Sequence, residues 1–137
     1  MTAYKGPDLC QYRLGLEMTD RIHFITHRGK QILLVDLTNC SARQVEEVLR
    51  ETPEVVSACP LRSVLMISDF TSAGFDKETI WVMQESAVFD KPYIKKSAWV
   101  GAVSLPQGLS ETMSSFSGRE FPAFATRDEA LAWLVED

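Results

Sequence analysis

Histidine and cysteine are scarce in this chain, and where they fall excludes most of the chemistry they usually carry. Two histidines and three cysteines occur in 137 residues. His23 and His27 stand four apart, a spacing that would suit one helical face, but the alternation around them is that of a strand. At about 3.3 Å per residue they lie roughly 13 Å apart, too far to share one ion. Cys10, Cys40 and Cys59 are odd in number, widely spaced and without a C-x-x-C pair. A disulfide framework needs dense, even cysteines, so the expectation is buried or idle thiols in a reducing compartment. Gly-x-Ser-x-Gly is missing: Ser115-Phe116-Ser117-Gly118 lacks the leading glycine and closes a helix instead of opening one. Neither Gly-x-x-x-x-Gly-Lys nor Gly-x-Gly-x-x-Gly is present to cradle a phosphate. No catalytic constellation, metal set or cofactor motif is readable, so the expectation is a protein that is not an enzyme and carries no cofactor.

Long apolar runs and concentrated positive charge are missing too. The longest uninterrupted apolar stretches, such as residues 32–35 and 64–67, are far too short to cross a bilayer. The first twenty residues have no basic stretch followed by an apolar one, so no signal peptide is expected and the expected location is cytoplasmic. The 14 basic residues are outnumbered by 19 acidic ones, for a net charge of −5. The densest basic run, Lys91, Lys95 and Lys96 around Tyr93, reads as a solvated loop, so no nucleic-acid partner is expected. What is present, 45% hydrophobic and 24% charged residues, is the composition of a globular domain. Gly6-Pro7-Asp8 punctuates a loosely held lead-in over residues 1–18, and one domain is expected over 19–137.

Periodicity then orders the elements. Ile22, Phe24 and Thr26 alternate with His23, Ile25 and His27, a half-buried strand. Arg28-Gly29 predicts a tight hairpin into the apolar run of residues 31–37, which reads as a strand buried on both faces. Capping side chains at 38–41 open a helix whose inner face carries Val45, Val48, Leu49 and Thr52. Thr52-Pro53-Glu54 predicts a break and a short second helix before Pro60. Residues 63–68 and 97–103 predict two more buried strands. Between them Asp76 caps a helix to Asp90 with Ile80, Met83 and Ala87 inward. Leu105, Leu109, Met113 and Phe116 predict one inward stripe of a further helix. Pro122 confines residues 121–125 to an edge strand. Thr126 and Glu129 then open a terminal helix burying Ala130, Leu131 and Leu134. No internal repeat is visible. The expected class is α/β: a mixed, mostly parallel five-stranded sheet with an antiparallel N-terminal edge strand and flanking helices.

This order carries a resemblance. Ile32-Leu33-Leu34-Val35-Asp36 with Asn39 comes first, then Ser63-Val64-Leu65-Met66-Ile67-Ser68-Asp69. Lys91-Pro92-Tyr93-Ile94-Lys95-Lys96-Ser97-Ala98 leads on to Val100-Gly101, and Phe124-Ala125-Thr126, Glu129-Ala130 and Trp133-Leu134 complete the set. Together these resemble the SpoIIAA-like domains of the STAS group (sulphate transporter and anti-sigma factor antagonist), nearest to its stand-alone bacterial branch of unassigned function. That fold is often compared with the CRAL-TRIO lipid-binding fold. In STAS antagonists an acid, a hydroxyl pair and a glycine after a strand carry a regulatory phosphoserine at a helix start. The matching segment is Ser68-Asp69-Phe70-Thr71-Ser72-Ala73-Gly74. The resemblance implies Ser72 as phospho-acceptor, although Phe70 is an extra residue and Ala73 replaces the expected glycine.

In an open parallel sheet, ligands gather beyond the carboxyl ends of the strands. That rim is expected to collect Asp36, Thr38 and Asn39, then Asp69, Thr71 and Ser72, then Ser104. The same residue types are also the ordinary caps and loop-ordering side chains. Among the aromatics, Phe75 and Trp81 are candidates for an apolar patch or a cavity wall. Two functions are expected to compete. One is a non-catalytic interaction or regulatory module binding a protein partner or a second copy as a homodimer, with a serine-phosphorylated switch as a variant. The other is a carrier of a small apolar or lipid-like ligand, which needs an enclosed cavity beneath the helix of residues 76–90.

Overall fold

Arg28 and Gly29 take φ of 52° and 80°, the paired left-handed geometry whose twist suits a two-residue hairpin. They join β1 (Ile22–His27) to β2 (Lys30–Asp36) antiparallel, with Ile22 opposite Val35 and His27 opposite Lys30. The computed structural model describes residues 21–136, and the lead-in expected over residues 1–18 lies outside the described residues. After the hairpin come α1 (Ala42–Val56), β3 (Val64–Asp69), α2 (Lys77–Asp90), β4 (Ile94–Val100), α3 (Leu109–Ser117), β5 (Ala123–Phe124) and α4 (Arg127–Leu134). Short 3₁₀ turns at Lys91–Tyr93 and Ala102–Ser104 flank β4. The strands lie side by side in chain order, β1 antiparallel to β2 and each later pair parallel. The mixed, mostly parallel five-stranded sheet read from the sequence is the sheet observed.

Strand alternation divides the core into two layers. Leu33, Val35, Val64 and Met66 pack with α1, α2 and α3 on one face of the sheet. Ile32, Leu34, Leu65, Ile67, Ala98 and Val100 meet Ala130, Leu131 and Leu134 of α4 on the other. All six residues of β3 are buried, as a strand covered on both faces requires. Among the described residues no helix is long and apolar enough to cross a membrane.

Four expectations need correction. α1 runs unbroken through Pro53. The proline forfeits one N–H, but Val48, Leu49, Thr52, Val55 and Val56 are all buried, and a break would withdraw that stripe from the sheet. Thr52, 2% exposed, donates to the Val48 carbonyl at 3.3 Å and so does not cap a new helix. β4 ends at Val100, and Val103 is 96% exposed, because Gly101 turns left-handed (φ 73°) directly after the strand. In α3 the buried stripe is Leu109, Met113 and Ser117, spaced four and four, which leaves Phe116 outward. Finally, Cys40 is a buried free thiol but Cys59 is disulfide-bonded, so the expectation of idle thiols fails for Cys59.

Candidate functional site

β2 and β3 end level with each other, Asp36 beside Asp69. Each strand continues into the same four-residue form, Asp36-Leu37-Thr38-Asn39 and Asp69-Phe70-Thr71-Ser72. In both, the aspartate Oδ1 accepts from the threonine N–H at 3.0 Å and from its hydroxyl at 2.7 Å. In both, the second residue is buried and the fourth takes φ of 59°. The spacing Asp-x-Thr is therefore a short internal repeat, which corrects the expectation that the chain has none. The two loops are stitched together: Leu37 N–H donates to Asp69 O at 2.9 Å, and Asn39 N–H to Thr71 O at 2.9 Å.

Two carboxylates one strand apart need a cation, and Arg127 supplies it from the first residue of α4. Its Nε donates to Asp69 Oδ2 at 2.6 Å and its second terminal nitrogen lies 3.5 Å from Asp36 Oδ1. Arg21 adds a terminal nitrogen 3.7 Å from Asp36 Oδ1 and donates to Thr38 O at 2.8 Å. Burial pushes the Asp36 carboxyl up, but the two Thr38 hydrogen bonds, Arg127 and Arg21 together hold it below the ordinary carboxylate range. Beside this cluster the Cys40 thiol is raised, chiefly by burial, which keeps it protonated and a poor nucleophile. The rim is thus a pair of carboxylates held by threonine hydrogen bonds and by arginines from within the chain. These contacts tie the two loops to each other and to α4.

The other expected residues spread around this knot. Asn39, Thr71 and Ser72 are exposed on the two loop tips, and Thr38 is half-buried. Ser104 closes the 3₁₀ turn after β4, so the third loop borders the same rim. Ser72 precedes the α2 N-cap, Asp76, by four residues. The third loop abuts the second: a Cβ on Gly101 would fall 2.6 Å from the Thr71 nitrogen and 2.8 Å from its Cα. Gly101→Ala is expected to destabilise the chain by about 2 kcal/mol, from backbone strain and displacement of Thr71; urea denaturation measures it.

Phe75 and Trp81 part company. Phe75 is partly buried, its ring 5.6 Å from Phe70, which meets Trp99 edge-on at 5.1 Å; Trp99 in turn lies 5.0 Å from Phe121. These four rings form one interior row. Trp81 is 56% exposed on the outer side of α2 with Val88 and Phe89, and Phe116 of α3 is 58% exposed.

Beneath α2 lies a cavity of about 40 Å³ among Val35, Met66, Phe70 and Trp99, with Asp90 and Arg119 in its wall. Asp90 is 2% exposed; its Oδ2 accepts from Ser86 Oγ at 3.2 Å, and its Oδ1 has no hydrogen-bond partner. Arg119 donates to the Ala87 carbonyl at 2.9 Å and to Ser97 Oγ. Burial raises the Asp90 pKa to about 7 against the pull of Arg119, and lowers that of Arg119 to about 10 against the pull of Asp90. The volume admits roughly two or three waters, at about 10–15 Å³ each, whereas small-molecule sites run to roughly 300 Å³ or more. Neither residue was singled out from sequence. Asp90 continues the inner stripe of Thr79, Met83 and Ser86, a visible signal, but Arg119 sits in an aperiodic loop that gives none.

Among the described residues no group of three His, Cys, Asp or Glu side chains is placed to hold a metal ion. No family model and no curated protein matches the chain. A solved structure does: an uncharacterised protein of the DUF3478 family with a SpoIIAA-like fold, from Shewanella loihica PV-4. It superposes with a TM-score of 0.64 at 16% identity, over 82% of this chain and 91% of that one. The chain therefore has a SpoIIAA-like fold.

Proposed function

We propose that this chain is a non-catalytic interaction module that works through protein contact, with the outer surface of α2 and α3 as its contact face. The observation that carries this reading is the exposure of Trp81, Val88, Phe89 and Phe116, between 47% and 58% each, on one helical layer. Clustered exposed apolar side chains of this size mark contact surfaces more often than they tile an idle one. The rim, with its charges met internally, supports an ordering role for Asp36 and Asp69. The interior cavity is too small for an acyl chain, which weighs against the carrier reading.

A photo-crosslinking residue placed at position 81 in the native host tests the reading. Protein adducts are expected there and not at the exposed control position Glu54. No adduct above the control would remove the contact-face reading.

A further inference from the structure

We infer that the occupant of this face is a second copy of the chain, docked about a twofold axis running parallel to α2; the inference rests on the contact-face reading above.

Trp81 and Val88, seven residues apart on α2, form the crest of the face, and a groove lies on each side of it. The groove toward α1 is lined by Leu49, Arg50, Pro53, Val82, Glu85 and Phe89. The groove toward α3 is lined by Gln84, Glu111, Thr112, Ser115 and Phe116. An axis parallel to α2 keeps height along the helix and exchanges the flanks, so the α3 side of one copy meets the α1 side of the other. Phe116, which shares its groove with Gln84, then faces the apolar groove of the second copy around Val82, Glu85 and Phe89. This is a knob opposite a hole, made twice by symmetry.

The charges select this axis over the alternative. With flanks exchanged, Glu111 faces Arg50, Lys77 faces Glu78 and Gln84 faces Glu85. Arg50 is 3.6 Å from Glu46 and its side chain remains 55% exposed; Glu111, Lys77, Glu78 and Glu85 are exposed. An axis perpendicular to α2 would instead set each flank against itself with height reversed, which keeps Glu111 from Arg50 and Phe116 from the groove toward α1. That arrangement loses both complementary contacts. Trp81 lies near the axis and meets its own mate, the central aromatic position that contact surfaces favour.

Sedimentation velocity on the full chain, from micromolar to several hundred micromolar, is expected to show a reversible dimer. Phe116→Glu or Trp81→Glu, both at solvent-exposed positions, should leave only monomer with an unchanged far-ultraviolet circular dichroism spectrum. Glu111→Arg and Arg50→Glu singly should each weaken the dimer about tenfold, and the double reversal should restore it to within about threefold. A monomer at every concentration, or a double reversal no better than the single ones, overturns the second-copy inference. If that monomer still gives adducts to a different protein at position 81, the contact-face reading survives alone; if it gives none, both fall.

Discussion

Asp90→Asn is expected to raise stability at pH 8 and to flatten a pH dependence that the unaltered chain shows between pH 5.5 and 8. The Asp90 pKa, raised from 3.8 to about 7 by burial, means the folded chain keeps a proton that the unfolded chain releases. Between those two values the unfolded state binds one proton fewer, so stability falls as pH rises and levels off above about 7. At about 1.4 kcal/mol per tenfold, the whole penalty is roughly 4 kcal/mol, and the part falling between pH 5.5 and 7 is roughly 2 kcal/mol. Asparagine keeps the acceptor that Ser86 uses and removes the ionisation. The variant should therefore exceed the unaltered chain by about 2 kcal/mol near pH 5.5 and by about 4 kcal/mol at pH 8. The histidines are common to both chains and cancel in the difference, and Arg119, at about 10, does not titrate in this window. Urea midpoints at the two pH values decide the matter. A chain more stable at pH 8, with Asp90→Asn losing several kcal/mol there, would show that Asp90 is a carboxylate paired with Arg119. The partnerless Oδ1 and the two other acceptors that Arg119 has taken argue against that outcome.

What could be read in advance divides by the range of the interactions involved. The hairpin at Arg28-Gly29, the buried strands and the capped helices were legible because each is set by neighbours in sequence: turn geometry, alternation, a cap beside its helix. The parallel order followed from the helical connections. Misreadings came where tertiary packing overrode a local rule. Pro53 has every local mark of a helix start, yet the apolar stripe on both sides of it is buried as one piece. Phe116 fits a helical stripe by spacing, but Ser117 takes the inward position, bonded to the Met113 carbonyl at 2.7 Å. The candidate rim was half legible. Its carboxylates and hydroxyls were named from the strand ends, but the cation between them lies 58 residues from Asp69 in sequence. Arg127 lies between Thr126 and Glu129 at the start of the terminal helix, and no local pattern announces a partner at that range. Asp90 is hidden differently: it ends α2, where polar residues are ordinary, although it shares its face with Met83.

Arg127→Ala is expected to lower stability by about 3 kcal/mol, because it leaves Asp69 buried without its cation. Asp69 is 4% exposed and stands directly beside Asp36. The two Thr71 hydrogen bonds hold only its Oδ1, and Oδ2 depends on Arg127. The arginine side chain is itself 40% exposed, so solvent will recover part of the lost interaction, which keeps the figure at the lower end of that for a buried pair. Arg127→Lys should recover only part of the loss, since an ammonium cannot present Nε to Asp69 and a second nitrogen to Asp36 together. Asp69→Asn placed in the Arg127→Ala chain should cost little more, a coupling that a double-mutant cycle measures directly. A loss below about 0.5 kcal/mol would reduce the bridge to an ordinary surface ion pair. Arg127 approaches the sheet with α4, on the face opposite α2 and α3, so none of these rim variants should change the sedimentation of the native chain. A shift in sedimentation on altering Arg127 would join the rim to the contact face and overturn the separation of an ordering knot from a docking surface.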